Sequence, residues 1–595
     1  MTDCYVEHIF LGADGSNLAV CDEFENQDCH VASLLAMTGV LRKLKTIWGG
    51  MTRRATFCYT INIPGRLFCL TVLLIILSGL MSCPCSAAEG GETSFEIRAF
   101  EVTGNTIFQE DKLQGVVSLF TGKGKTAADV ERARDALEKL YHDSGYPAVL
   151  VNIPEQTLKD GVVKLQVIES RIGNVKVTGN RYFTIEKVMN DLPSLAPGQI
   201  LYLPKVQEEI GRLNRNQDFK VNPVMTPGNI FGTIDVELKV EDQLPLHGYL
   251  ELNNRASPDT TALRLNAMIR YDNLWQKEHS LSLQYQTSPE SLKQVEVAGV
   301  SYALPAPWDK DSQLAIYGIY SDSNSAFGEG FTVIGKGQIA GVRYVIPLTG
   351  YKLYAHNITI GLDYKHFNNA VGFTTVAGST HTPISYMPLS FSYNASLPDE
   401  SGGVTQFSGG LNMSFRGLVS DENEFEAKRY KATASYLYAT AGVQRTQKLP
   451  LGMSLFAKVD GQVADQPLID NEGYIAGGMT SVRGYLESEA TGDNAVHGTL
   501  EVSFPDPLQG SSPENWLTKQ LQMSPFIFYD IAELITLDPL PSQSGSSTLE
   551  GVGAGVRGVL TKSFEYELDW ATALHSAAYT KSGDERVYFK VRAVF

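Results

Sequence analysis

The run Gly553-Ala554-Gly555-Val556-Arg557-Gly558 spells G-x-G-x-x-G, the spacing that lets a backbone approach a dinucleotide pyrophosphate at the start of a helix. That chemistry needs a strand before the run and a helix after it. Here the run lies inside one alternating stretch and leads into another, so small side chains packed on one face of a strand account for it. The seven cysteines, Cys4, Cys21, Cys29, Cys58, Cys69, Cys83 and Cys85, leave the chain beyond residue 85 without a thiol. The ten histidines form no His-Glu-x-x-His pair, and neither a Gly-x-Ser-x-Gly elbow nor a P-loop occurs. No enzyme activity, cofactor or metal site is expected from such a set. The informative charge is Arg483, in the turn-rich run Ile475-Ala476-Gly477-Gly478-Met479-Thr480-Ser481-Val482-Arg483-Gly484-Tyr485. An arginine there either solvates on a surface hairpin or, if the loop folds inward, needs a buried carboxylate.

The compartment follows from the N-terminal sequence. Leu67 to Met81 is the one long apolar run, too short to span as a helix and suited to a signal-peptide core. Arg53, Arg54 and Arg66 precede it, and Ser86-Ala87-Ala88 offers a small-residue cleavage site, making Glu89 the expected mature N-terminus. Met51 is the expected true start, so residues 1–88 read as a dispensable extension plus signal peptide. Arg53-Arg54 also allows twin-arginine export, and Leu80-Met81-Ser82-Cys83 a lipidated Cys83. A cysteine-free mature chain suits passage through an oxidising periplasm. Residues 89–595 keep 43 Lys and Arg against 59 Asp and Glu, an acidic balance that argues against a nucleic-acid partner.

Two repeats follow. Val102-Thr103-Gly104-Asn105-Thr106-Ile107-Phe108 returns 75 residues later as Val177-Thr178-Gly179-Asn180-Arg181-Tyr182-Phe183. Each copy opens with a strand (95–102; 172–177), turns at Gly-Asn and enters helical segments. Val130, Ala133, Ala136, Leu137, Leu140 and Tyr141 share one face of a helix over 127–141, and 206–213 serves the second copy. Two strands close each unit (148–153 with 162–169; 220–225 with 232–240). Strand–helix–helix–strand–strand in about 75 residues resembles the POTRA domain, with Gly145-Tyr146-Pro147 and Leu158-Lys159-Asp160-Gly161 in matching places. The expected domains are 95–170 and 171–243.

From Leu244 alternation takes over. Phe564, Tyr566, Leu568 and Trp570 oppose Glu565, Glu567 and Asp569; Val552, Ala554 and Val556 oppose Gly553, Gly555 and Arg557; Leu281, Leu283 and Tyr285 oppose Ser282, Gln284 and Gln286. This suits a transmembrane barrel with lipid outside and water inside, and a soluble sheet with one buried face would match it locally. The last strand, Val587 to Phe595, ends on an aromatic and resembles the C-terminal assembly signal of outer-membrane barrels. At roughly 20–25 residues per strand and turn, 244–595 holds about 14–18 strands.

Over residues 95–595 the chain resembles the outer-membrane transporters of two-partner secretion, the haemolysin secretion/activation type. The resemblance implies a mainly β fold: a 16-stranded transmembrane β-barrel preceded by two periplasmic α+β POTRA domains, in the outer membrane of a Gram-negative bacterium. It implies that Val482, Arg483, Gly484 and Tyr485 belong to a loop folded into the lumen. Asp530, in Phe528-Tyr529-Asp530-Ile531-Ala532, would be the barrel-wall partner of Arg483 with Phe528 beside it, although Ala532 stands where the family motif has glycine. The implied partners are a secreted exoprotein that folds as a β-helix, outer-membrane lipid, and the barrel-assembly machinery reading Phe595. The exoprotein would add as a strand to an exposed sheet edge of the second repeat, then thread the lumen. Glu89 to Phe95 leaves no room for the plug helix and linker many relatives carry, so larger or more frequent ion conductance is expected. The same parts also suit a barrel-assembly factor (insertase); a porin or adhesin would not require the repeats.

Overall fold

The computed structural model describes residues 94–324, 334–350, 353–368, 370–372, 379–508 and 520–595. The export signal, alternative starts, lipidation site and plug-helix question, all expected over 1–94, lie almost wholly outside these residues.

Each sequence repeat is a three-stranded sheet carrying two helices. In the first, Ala99–Thr103 pairs in parallel with Val162–Glu169, which pairs antiparallel with Val149–Asn152. In the second, Arg171–Thr178, Thr233–Asp242 and Phe219–Pro227 repeat that order and those directions. The helices are Glu110–Val117 and Ala127–Asp143, then Ile185–Asp191 and Leu203–Leu213. Ala127–Asp143 starts on a capping box of Thr126 and Asp129, and it buries Val130, Ala133, Leu137 and Tyr141. The sequence located one helix per unit and missed Glu110–Val117 and Ile185–Asp191, which are too short for a clear period.

The repeated Gly-Asn has a structural cause. Gly104 and Gly179 both sit at φ +85°, and a Cβ on either would lie 2.3 Å from a carbonyl oxygen, of Val167 or Val240. Only glycine fits such a turn. The next residue's amide closes it, Asn105 Nδ2 donating to Phe108 O (3.2 Å) and Asn180 Nδ2 to Phe183 O (2.9 Å). A carboxylate at the end of the middle strand then takes the free amides. Glu169 accepts from Thr106 and Ile107, and Asp242 from Arg181, Tyr182 and Phe183.

The outer strands are less open than a strand-addition mechanism requires. Val221 points its backbone outward, where Asn214 takes both its N–H (2.8 Å) and its carbonyl (3.1 Å). Pro223 and Pro227 share that outward parity and have no N–H to offer. In the first unit Glu138 takes the Val151 amide (3.0 Å), and His142 Nε2 lies 3.0 Å from Val149 O. These two edge strands, Val149–Asn152 and Phe219–Pro227, are therefore protected in the manner of edge strands that must not pair, which leaves Arg171–Thr178 as the other edge of the second sheet.

The barrel closes with sixteen antiparallel strands, from Leu246–Asn253 to Glu585–Val594. The eighth is interrupted, its pieces Ile384–Tyr386 and Leu389–Pro398 both pairing with Ala355–Phe367. Closure is brief. The first and last strands are in register over five residues, Tyr249–Asn253 against Lys590–Val594, whereas Leu521–Ile535 pairs with Ser546–Leu560 over fifteen. Phe595 extends the seam by exchanging 3.0 Å backbone hydrogen bonds with Gly248. Leu283, Val552, Leu568, Trp570 and Val591 are exposed on the outer wall, as alternation predicts. Among the described residues no helix is long and apolar enough to cross a membrane.

The chain enters and leaves the barrel at the same end. There the second unit meets the first hairpin turn: Thr184 N donates to Gln276 Oε1 (3.1 Å), and Lys187 pairs with Glu278 (2.7 Å). His247 Nε2 lies 2.8 Å from Asp218 and 3.6 Å from Asp272, which Arg270 also holds. The spacing of these three groups would suit a metal ion, but Gln243, Arg270 and Ser280 engage the same carboxylates and join unit to barrel.

Candidate functional site

The lumen has two unlike halves. At the entry end a polar cavity of about 1080 Å³ is lined by residues such as Arg215, Asp218, Arg270, Gln444, Lys458 and Asp460. At the far end the lumen is filled. Tyr317, Ile319, Ile339, Phe367, Ile384 and Tyr386 face inward and pack on Phe425, carried by the short helix Glu422–Lys428, and on Leu468 and Ile469. Alternation alone predicts water on the inside throughout; here two far-side loops supply apolar partners.

One of those loops carries the arginine. Residues 465–493 leave the eleventh strand, Ser454–Ala464, and fold into a hairpin whose legs, Tyr474–Ala476 and Ala490–Gly492, pair with each other. At its tip Gly477, Gly478 and Gly484 take positive φ, and a Cβ on Gly484 would lie 3.0 Å from Ala573 N. The tip then presents Arg483, 5% exposed, to the inner wall.

There Arg483 meets Asp530, which is fully buried. Nε and Nη2 donate to its two oxygens at 2.7 and 3.0 Å, and the Arg483 amide donates at 3.2 Å. Nη1 reaches Glu501 at 3.2 Å, and the guanidinium lies 3.3 Å from the Phe528 ring centroid. The planar fork, a bidentate carboxylate and an aromatic face are the arrangement an arginine serves and a lysine would not. At ~4 Å and an effective dielectric near 20, such a pair gains about 4 kcal/mol before desolvation, so it fixes position more than it stabilises the barrel. Ala532 causes no irregularity: its strand keeps register on both sides, and its methyl joins a buried cluster with Val482 and Tyr485.

Tyr485 and Gly484 secure the tip to the last strands. Gly484 N donates to Tyr588 Oη (2.8 Å), whose hydroxyl donates to Tyr485 O (2.5 Å), and Tyr485 Oη donates to His575 O (2.8 Å). Four participants escaped the sequence reading. Glu501 shares its carboxylate between Arg483 and Arg557. Asp569, read only as a lumen-facing acid, lies 4.0 Å from Arg483 with no hydrogen bond to either oxygen. Gly551 leaves space for the loop, since a Cβ there would lie 1.9 Å from Arg483 O, and Tyr588 supplies the hydroxyl. Alternation places all four inward, but only the fold shows which inward positions the loop touches. Gly104, Asn105, Gly179 and Asn180 lie in the repeats and Phe595 at the seam, all apart from this cluster.

A family model for haemolysin secretion/activation protein ShlB/FhaC/HecB matches residues 232–558, and one for the ShlB-type POTRA domain matches 95–170. The chain is 20% identical over 430 residues to outer membrane transporter CdiB of Dickeya dadantii, covering 69% of this chain and 72% of that one. It is 20% identical over 394 residues to heme/hemopexin transporter protein HuxB of Haemophilus influenzae, covering 64% and 67%. Among solved structures CdiB from Escherichia coli superposes with a TM-score of 0.59 at 17% identity, over 90% of this chain and all of that one. CdiB from Acinetobacter baumannii gives 0.52 at 16% identity, over 88% and 97%. With its barrel, its first repeat and more than half its length accounted for, the chain belongs to the haemolysin secretion/activation family of outer-membrane transporters of two-partner secretion, its repeats facing the periplasm.

Proposed function

We propose that the protein exports one dedicated exoprotein through its own lumen, and that residues 465–493 form the element displaced during passage. Residues 171–243 act as a second POTRA domain beside 95–170, and residues 244–595 as the conducting barrel. The exoprotein arrives unfolded and becomes a β-helix outside, so that folding beyond the membrane gives the movement its direction. The observation that carries this reading is Arg483. The hairpin that Arg483 ties to the wall is held in the lumen chiefly by side-chain contacts and not by the barrel's own strand pairing, so it is an obstruction that can move without unfolding the wall. Protected outer strands in both units point capture away from Phe219–Pro227, toward the opposite sheet edge or the apolar faces of the units. Lipid surrounds the outer wall, and Phe595 with the last strand is what the assembly machinery reads.

Photoreactive residues in the wall test the route. With export stalled, a probe at Gln444, which lines the polar cavity, is expected to capture the exoprotein, while a probe at lipid-facing Leu283 does not. Continued secretion with no capture at Gln444 would overturn the route. The insertase reading draws on one observation, the five-residue seam, which resembles a site where new strands could add. It predicts capture of barrel precursors at residues such as Val591 instead.

A further inference from the structure

The same loop carries a second buried charge at its root. Glu472 is 4% exposed, and its carboxylate accepts from Lys365 Nζ (2.6 Å), Tyr386 Oη (2.6 Å) and Tyr438 Oη (2.9 Å). Those donors stand on the seventh strand (Ala355–Phe367), the eighth and the tenth (Leu437–Lys448), on one side of the loop's origin between strands eleven and twelve. Arg483 reaches strands twelve (Asn494–Ser503) and thirteen (Leu521–Ile535) on the other side. A carboxylate taken out of water is tolerated only while charged or hydroxyl donors surround it, and here all three come from the wall.

The two attachments differ in redundancy. Besides the Asp530 pair, the tip is held by the Tyr588 and Tyr485 hydroxyls, by Arg255 on Glu487 (2.9 Å) and by Thr580 and the Tyr579 amide on Glu489 (2.6 and 3.0 Å). At the root, Asp465 exchanges hydrogen bonds with the Leu437 backbone at the start of strand ten (3.0 and 3.1 Å) and Leu468 and Ile469 pack on the apolar wall, whereas among the described residues the side-chain hydrogen bonds from the loop to strands seven and eight converge on the single Glu472 carboxylate.

We infer that Glu472 is a releasable latch and the Arg483 tip the pivot, so that the hairpin opens the lumen along strands seven to eleven while its tip stays docked. Glu472 is thus a positioning residue for transport, and this inference rests on the reading that export runs through the lumen. Opening at this latch is a two-state event, because the carboxylate must leave all three donors together to reach water.

Two measurements test it. In planar bilayers Glu472→Gln, which keeps the side chain's shape and removes its charge, is expected to raise the open probability of the pore several-fold; unchanged opening would overturn the latch. In cells, Tyr438→Cys with Glu472→Cys, bridged by a short reducible dithiol cross-linker, fixes the root. Met479→Cys with Ala571→Cys, bridged the same way, fixes the tip. The inference expects secretion to stop with the root fixed, to return on reduction, and to continue with the tip fixed. Secretion through a fixed root, or its loss with a fixed tip, would overturn it. The conductance measurement needs no cargo, so a failure to find any secreted protein would count against the transport reading and leave the latch result standing.

Discussion

The two walls of the lumen solve the problem of holding a loop by opposite means. The wall of strands twelve to fifteen surrounds one arginine with Glu501, Asp530 and Asp569. The wall of strands four to eight offers Tyr317, Ile319, Ile339, Phe367 and Tyr386 to apolar partners. Charge fixes direction and register and can exchange partners; apolar burial is indifferent to small slips and roughly additive in area. A loop touching both walls is positioned by one and sealed by the other.

The largest break in that contrast should come from Arg483→Asp. It places a fourth carboxylate among three and leaves Asp530 buried without its cation, a class of change costing about 3–5 kcal/mol. Secretion in a cell assay is expected to fall at least tenfold. Adding Asp530→Arg should restore part of it, and incompletely, because Glu501 still opposes an acid at 483. No recovery at all would count against direct pairing.

A steric change comes next. Gly551→Ala leaves every charge in place but puts a methyl where Arg483 O now sits, so the tip must shift and secretion should drop several-fold. Gly318→Ala, on the outer face of the fifth strand, has its nearest neighbour at 3.8 Å and should secrete normally. Equal effects from the two would mean that the loss at Gly551 does not come from displacing the loop.

The apolar side is probed by Phe425→Ala. Its ring is 1% exposed and packs edge-on against Tyr386 at 5.6 Å. Removing it should cost about 3–5 kcal/mol locally, read as higher ion leakage with Arg483 still docked. The smallest effect belongs to Phe528→Leu, which keeps the bulk and loses the aromatic face, worth about 0.5–2 kcal/mol. A modest rise in leakage with normal secretion is the expected result in the same bilayer assay.

The sequence displayed most of the scaffold because each feature there is local. Gly104 and Gly179 obey the same backbone constraint, and the alternation of Leu281 to Gln286 or Phe564 to Trp570 follows from the pleat. Arg483 and Asp530 were both visible, though their pairing rested on resemblance, since 47 residues separate them. The hidden features depend on the barrel's curvature. Nothing local distinguishes Gly551 from Gly553, or Glu501 from any inward acid, until the hairpin's path is known. The apolar far half of the lumen was missed because a strand reads the same whether its inner face meets water or a returning loop. The protected edge was readable in Pro223 and Pro227, four apart and hence on one side, once Val221 shows which way that side faces.

The central claim, that this is a dedicated transporter whose docked loop governs passage, is tested most directly by quantitative comparison of extracellular and outer-membrane proteomes. The comparison is made between cells carrying the intact chain, cells lacking it and cells carrying Arg483→Asp. The account predicts that one or two large secreted proteins disappear from the medium in both altered strains while other outer-membrane barrels keep their abundance. A broad fall in those barrels would contradict it and make the protein an assembly factor.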